Sequence, residues 1–243
     1  MAGCCRSAVC EEMFKPRAAR KTFRRYLKKG LDRIERGMVA SVPPYALEDA
    51  RVLEIGGGIG TIQAELLLAG ASQGEIIELV SAYEPYAREL ARAKEIVNRT
   101  TFRVADVLNR PETVAGADIV VLNRVVCCSP DGVRLAGFAA RLASRMLLVS
   151  YPRDRRVVRL FMRVMNCGLR AMGRSFRVFL HPRTSLYDAA QAAGLEVSGA
   201  GHGFVWEFTA FRRSVRSTSV LVHTQTEEAD VGRCVTPTRG RAE

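Results

Sequence analysis

No run of apolar residues in this chain approaches the ~18 that a membrane-crossing helix needs. Met1 to Lys21 is polar and interrupted, so no secretory h-region is expected there. There are no internal repeats. The seven cysteines are an odd number, and neither Cys-Cys doublet has zinc-knuckle spacing. In a chain with an ordinary α/β composition they point to a reduced, cytosolic setting rather than a disulfide scaffold. Two nucleotide signatures are also missing. A G-x-G-x-x-G register started at Gly56 ends on Thr61, and one started at Gly58 ends on Gln63. No Gly-Lys-Ser/Thr follows, which excludes a phosphate-binding P-loop.

What is present is a 243-residue chain with 48% apolar residues, enough for one α/β domain with additions. Its net charge of +12 is uneven. Residues 1–40 hold 11 basic and 4 acidic residues, residues 152–184 hold 9 and 1, and the remainder is slightly acidic. Two basic segments therefore flank a near-neutral core. That balance fits either an anionic partner or plain solvated faces.

The core opens at Arg51-Val52-Leu53-Glu54-Ile55, a short buried strand. Gly56-Gly57-Gly58-Ile59-Gly60 follows, and then Thr61 to Leu68, a good helix-forming run. Strand, glycine turn and helix make the first unit of a doubly wound sheet. Glu75 to Val80 reads as a second strand. Glu78 lies 18 residues beyond Gly60, where an acid at a strand's carboxyl end can accept hydrogen bonds from ribose hydroxyls. Glu84 is its fallback, and Tyr83 is placed near a base. A helix over Pro85–Val97 leads to a third strand, Thr101–Asp106. A fourth covers Ala117–Asn123, a helix Asp131–Ser144, and a fifth strand Arg145–Arg153. Strand–helix alternation with short connections predicts a parallel sheet covered on both faces.

The pattern acidic-x-G-x-G-x-G, carried by Glu54, Gly56, Gly58 and Gly60, resembles the first motif of class I S-adenosylmethionine (SAM)-dependent methyltransferases. Glu78, Asp106 and the strand ending at Asn123 follow in the order that family shows, over roughly Ala46 to Phe211. Val-Val-Cys-Cys-Ser-Pro-Asp and Ser-Tyr-Pro-Arg look like a bacterial small-molecule branch, among distant relatives of porphyrin and quinone methylating enzymes. The resemblance implies a mostly parallel seven-stranded Rossmann-like sheet whose last two strands include an antiparallel one. It also implies SAM held by Glu54, Gly56, Gly57, Gly58, Gly60, Glu78, Asp106, Val107 and Asn123. Asp106 would face the adenine amino group, and the end of the fourth strand would face the methyl group. Pro43-Pro44-Tyr45 is similar to the Asn-Pro-Pro-Tyr of nucleic-acid amino-methyltransferases, but it precedes the first strand and reads as a linker.

Outside the core, residues 1–45 read as a helical extension. Phe23, Tyr26, Leu27, Leu31, Ile34 and Met38 form one stripe, with a break possible at Gly30. In 152–184, Val157, Val158, Leu160, Phe161, Val164, Met165, Leu169 and Met172 recur at helical steps, with arginines mainly opposite. Such a helix, 155–172, can pack on its own core, cover a substrate or rest on an anionic membrane surface. The resemblance favours a substrate lid in this segment. Residues 212–243 read as a tail without apolar periodicity.

A methyl donor needs alignment more than acid–base help. If the acceptor must lose a proton, the base candidates are His181, Tyr151, His202 and Glu207. Arg124, Arg153 and His181 are candidates for binding an acceptor, the arginines through their planar forks. Cys4, Cys5 and Cys10 folded over Cys127 and Cys128 would be the one arrangement able to hold zinc or a soft substrate. Buried thiols are the default, and no metal is expected. The expected activity is methyl transfer to a small lipophilic or anionic acceptor. The alternatives are an RNA or protein methyltransferase, and a SAM-binding module without catalysis.

Overall fold

The structure, a computed structural model, describes residues 7–214. Four helices come first: α1 (Ser7–Met13), α2 (Pro16–Lys29), α3 (Arg33–Ala40) and the short α4 (Pro44–Leu47). The remaining elements are β1 (Arg51–Ile55), α5 (Thr61–Leu68), β2 (Gln73–Glu78), α6 (Glu84–Ala93), β3 (Thr100–Val104), β4 (Ala117–Asn123), α7 (Gly132–Leu142), β5 (Ala143–Pro152), α8 (Arg156–Ala171), α9 (Arg183–Gln191), β6 (Leu195–His202) and β7 (Trp206–Arg213). The seven strands form one sheet in the order β3-β2-β1-β4-β5-β7-β6. The first five run parallel, and β7 is antiparallel to both neighbours. This is a doubly wound, Rossmann-like sheet, and its strand order reverses between β1 and β4.

Apolar side chains fill both faces. Ile62, Leu66 and Leu67 of α5 join Val52, Ile119, Val121 and Leu148 on one face. Leu53, Val120, Leu122, Leu147 and Phe211 join Leu135, Ala139 and Leu186 on the other. The central strands are apolar on both sides, as parallel strands under two helical layers must be.

The N-terminal helices belong to this core. Phe23 and Tyr26 of α2 and Ile34 and Met38 of α3 bury with the α5 cluster. The break falls at Gly30, which caps α2 with φ +66° and donates its N–H to the Tyr26 carbonyl. Two residues later Asp32 opens α3 with a capping box. Its carboxylate accepts from the Ile34 and Glu35 amides, while Glu35 accepts from the Asp32 amide. Such a cap stabilises a helix by about 1 kcal/mol.

Some boundaries differ from those the sequence suggests. β2 ends at Glu78, not Val80, because the Leu79 and Val80 amides donate to the Glu78 carboxylate instead of continuing a ladder. Pro43-Pro44-Tyr45 begins a helical turn, α4. The tail boundary at 212 falls inside β7. The Arg213 guanidinium donates to the carbonyls of Ala143 and Ala193, tying the strand end to the sheet. Cys4, Cys5 and residues 215–243 of the expected tail lie outside the described residues.

Candidate functional site

One cavity of about 700 Å³ lies at the carboxyl edge of β1, β2, β3 and β4, within the ordinary range for ligand sites, ~300–1,000 Å³. It sits where the strand order reverses, the usual ligand crevice of an open α/β sheet.

Its floor follows from the glycine turn. Gly56 has φ +66°, and its N–H donates to the Ile77 carbonyl, at 2.8 Å. A Cβ here would stand 2.3 Å from Val125 Cγ2, so only glycine fits. Gly58 has φ +61° and turns its amide onto Glu78 Oε2, at 2.9 Å. Glu78 thus accepts from the Gly58, Leu79 and Val80 amides. It is 8% exposed yet lines the cavity. Burial raises its pKa, and the three amides act against that. Tyr83 lies against Gly58, with its phenol pushed up to about 12 by burial and then by Glu78. Asp106 and Val107, after β3, line the same space, and Asp106 accepts the Leu108 amide at 3.0 Å.

The opposite wall comes from the N-terminal helices. Cys10 of α1, Phe14 just past it, Thr22 and Arg25 of α2, and the capping pair Asp32 and Glu35 all line the cavity. Side chains at the end of β4 reach across to that pair. Asn123 Nδ2 donates to Glu35 Oε1 at 3.3 Å, and Arg124 Nη2 meets Asp32 Oδ2 at 2.5 Å. Behind them Ser150 Oγ donates to Asn123 Oδ1 and accepts the Arg124 amide. Arg124 holds φ +56°, unusual for a residue with a side chain. Its guanidinium stacks 5.0 Å from the Trp206 ring. Burial pushes the Asp32 pKa up, but the Glu35 amide and Arg124 outweigh it and hold the carboxyl below its usual range.

Several candidates from the sequence stand elsewhere. Glu54 and Gly60 do not line the cavity. Glu54 is fully buried and accepts the Gln63 amide at 3.0 Å, so it braces the turn from behind. Burial raises its pKa to about 8. Gly60 caps α5, and a Cβ there would meet Ile76. Tyr151 is buried and bonds Thr209 Oγ1 at 2.8 Å, and burial pushes its phenol far up. His181 Nε2 lies 3.0 Å and 2.9 Å from the Val126 and Ser129 carbonyls, so it carries hydrogen and ties a loop. Arg153 pairs with Glu207. His202 and Glu207 are likewise absent from the lining. None of the four base candidates faces the cavity.

The lid expected in 152–184 also contributes no lining residue. Cys10 and Cys128, two of the cysteines singled out for a soft substrate, line the cavity, whereas Asp32, Glu35, Arg25 and Phe14 were not legible as site residues. Asp32-Arg33-Ile34-Glu35, just past a glycine break, is a capping-box signature, and it was the available signal. Among the described residues no group of three or more His, Cys, Asp or Glu is placed to hold a metal.

No family model matches the chain, and no curated protein matches it. Solved structures do. An O-methyltransferase family protein from Burkholderia thailandensis aligns over 83% of this chain at TM-score 0.62 and 22% identity. Magnesium protoporphyrin IX methyltransferase from Synechocystis, with bound SAH (S-adenosylhomocysteine), aligns over 86% at TM-score 0.63 and 18% identity. The fold is that of the class I methyltransferases. N,N-8-amino-8-demethyl-D-riboflavin dimethyltransferase from Streptomyces davawensis shares it over 85% of this chain, at TM-score 0.56 and 19% identity. The aligned part spans 99% of the Synechocystis protein but only 61% and 62% of the other two.

Proposed function

We propose that the protein is a SAM-dependent methyltransferase acting on a small lipophilic or anionic acceptor by in-line displacement. The observation that carries this reading is the convergence of bare backbone at Gly56–Gly58, the Glu78 carboxylate and Asp106 on one cavity at the sheet's carboxyl edge. Val125 and Tyr83 leave little or no room for a Cβ at Gly56 and Gly58, so bare backbone faces the space a nucleoside thioether would occupy. Solved proteins of this fold support the same cofactor, since the Synechocystis enzyme holds SAH.

Glu78 would accept the ribose hydroxyls through lone pairs its three amide partners leave over, and Asp106 and Val107 would flank the base. When bound, SAM supplies a methyl group already activated on a sulfonium. The chain's own residues then have to align and desolvate. Alignment alone is worth about 7–11 kcal/mol in favourable cases. Asn123, fixed by Glu35 and Ser150, would border the reacting centre. Arg25 and Arg134, both on the lining, would offer forks to an anionic acceptor. Glu35, buried and bonded to Asn123, would be the group to take a proton when the acceptor must lose one.

A screen of small phenolic, carboxylic and tetrapyrrole acceptors with methyl-labelled SAM tests the reading. Labelled product that disappears with Gly56→Ala supports it. SAH binding without transfer to any acceptor would favour a non-catalytic binding module. Transfer to RNA or protein alone would favour the macromolecular alternative.

A further inference from the structure

Helix α8 leaves one apolar face open. Val158, Met162 and Leu169 bury against the body. Val157, Leu160, Phe161 and Val164 recur at i, i+3, i+4 and i+7, so they share a second face. They are 62%, 61%, 56% and 62% exposed. Single exposed apolar residues need no explanation, but four large ones in one contiguous stripe do. Arg156, Arg159, Arg163 and Arg170, all exposed, occupy the remaining side of the helix.

The charges decide what covers this stripe. Within 152–184 Asp154 is the one acid, and Arg159 pairs with it. A second copy of the chain meeting α8 on α8 would bring two arginine-rich arcs together. An anionic surface meets the opposite sign. A helix with a broad apolar stripe and an arginine side lies in the plane of a bilayer, its stripe at the acyl boundary and its arginines reaching back to phosphates. Among the described residues no helix is long and apolar enough to cross a membrane, so contact would be with the surface.

We propose that α8 docks the protein on an anionic lipid bilayer, with Val157, Leu160, Phe161 and Val164 entering the acyl boundary. The docked face is tied to the cavity. Past α8, Phe176 packs edge-on against Phe14, at 5.4 Å between centroids, and Arg174 pairs with Glu12. Phe14, just past α1, lines the cavity. Docking would therefore bring to the lipid surface a segment that touches the cavity wall, a route by which a lipophilic acceptor could reach it. This last consequence rests on the proposed methyl transfer; the docking does not.

The test is flotation of the full-length protein with vesicles of phosphatidylglycerol and phosphatidylcholine, or of phosphatidylcholine alone. Binding to the anionic vesicles should be at least tenfold stronger and should fall in 0.5 M salt. Leu160→Asp with Phe161→Asp should cut it at least tenfold, and so should Arg156→Glu with Arg163→Glu. Both side-chain pairs are exposed, so the melting temperature and SAH affinity should stay unchanged. Those readouts separate failure of docking from failure of the cofactor site. No binding to anionic vesicles, or equal binding by wild type and the Leu160/Phe161 variant, would overturn the proposal. So would concentration-dependent dimerisation that Phe161→Asp abolishes, since the stripe would then belong to a second copy.

Discussion

The floor and the wall of the cavity are built by different means. The floor is local: Gly56 to Gly58 and Glu78 sit on one turn and the end of the next strand, and their contacts are backbone to carboxylate. The wall is assembled from afar. Glu35 and Asn123 are 88 residues apart, and Asp32 and Arg124 are 92 apart. A local motif dictates its own geometry. A wall made of capping residues and a strand end depends on the whole fold to bring its parts together. In the proposed chemistry the floor would carry the cofactor and the wall would meet the acceptor.

Four substitutions would break or sharpen that contrast. The largest effect belongs to Gly56→Ala. It forces positive φ on a residue with a Cβ and drives that Cβ into Val125. A stability loss of about 2–4 kcal/mol is expected from strain and overpacking together, with SAH binding lost beyond detection by calorimetry.

Glu54→Gln comes next and tests the floor through pH. Burial raises the Glu54 pKa to about 8, above the usual value of 4.5. The folded state therefore holds a proton that the unfolded state releases. Stability from this group is complete below the unfolded value and declines as pH rises toward 8. Glutamine keeps an acceptor for the Gln63 amide and cannot ionise. Melting curves should show the variant gaining on wild type as pH rises from 5 to 8; parallel curves would contradict the burial of an ionisable Glu54.

Arg124→Ala attacks the wall. It removes the Asp32 pair and the Trp206 stack, with an expected loss of about 1–2 kcal/mol by denaturant unfolding. Asp32, held low by the Glu35 amide and Arg124, contributes stability present above its unfolded pKa and lost as pH falls through the folded one. The variant should lose part of that acid-side slope. SAH affinity should change less than tenfold, while KM for the acceptor rises.

The smallest effect belongs to Tyr151→Phe. Thr209 keeps its bond to Tyr187 at 2.9 Å when Tyr151 loses its own. About 1 kcal/mol of stability should go, with turnover unchanged. A large loss of turnover would return Tyr151 to the chemistry.

The same contrast explains what the sequence let be read. Thr61–Leu68 and Ala117–Asn123 fall where the sequence suggests, because local signals end them: Gly60 in the left-handed region opens α5, and Arg124 at positive φ closes β4. β2 ends two residues before the sequence suggests, because Leu79 and Val80 look like strand residues and only the folded Glu78 claims their amides. Glu54 reads as a ligand residue in the motif, yet a strand side chain alternates faces, and this one turns back into the protein beneath the helix. The amphipathic pattern of 155–172 was legible. Which half of its apolar arc is buried was not, because periodicity says nothing of what lies opposite.

The most direct measurement is calorimetric titration of SAH into wild type and Glu78→Ala. One site per chain is expected in wild type, with affinity reduced at least about a hundredfold in the variant, or roughly 2.7 kcal/mol. Equal affinity in the two proteins, or no binding to either, would contradict a nucleoside site built on Glu78.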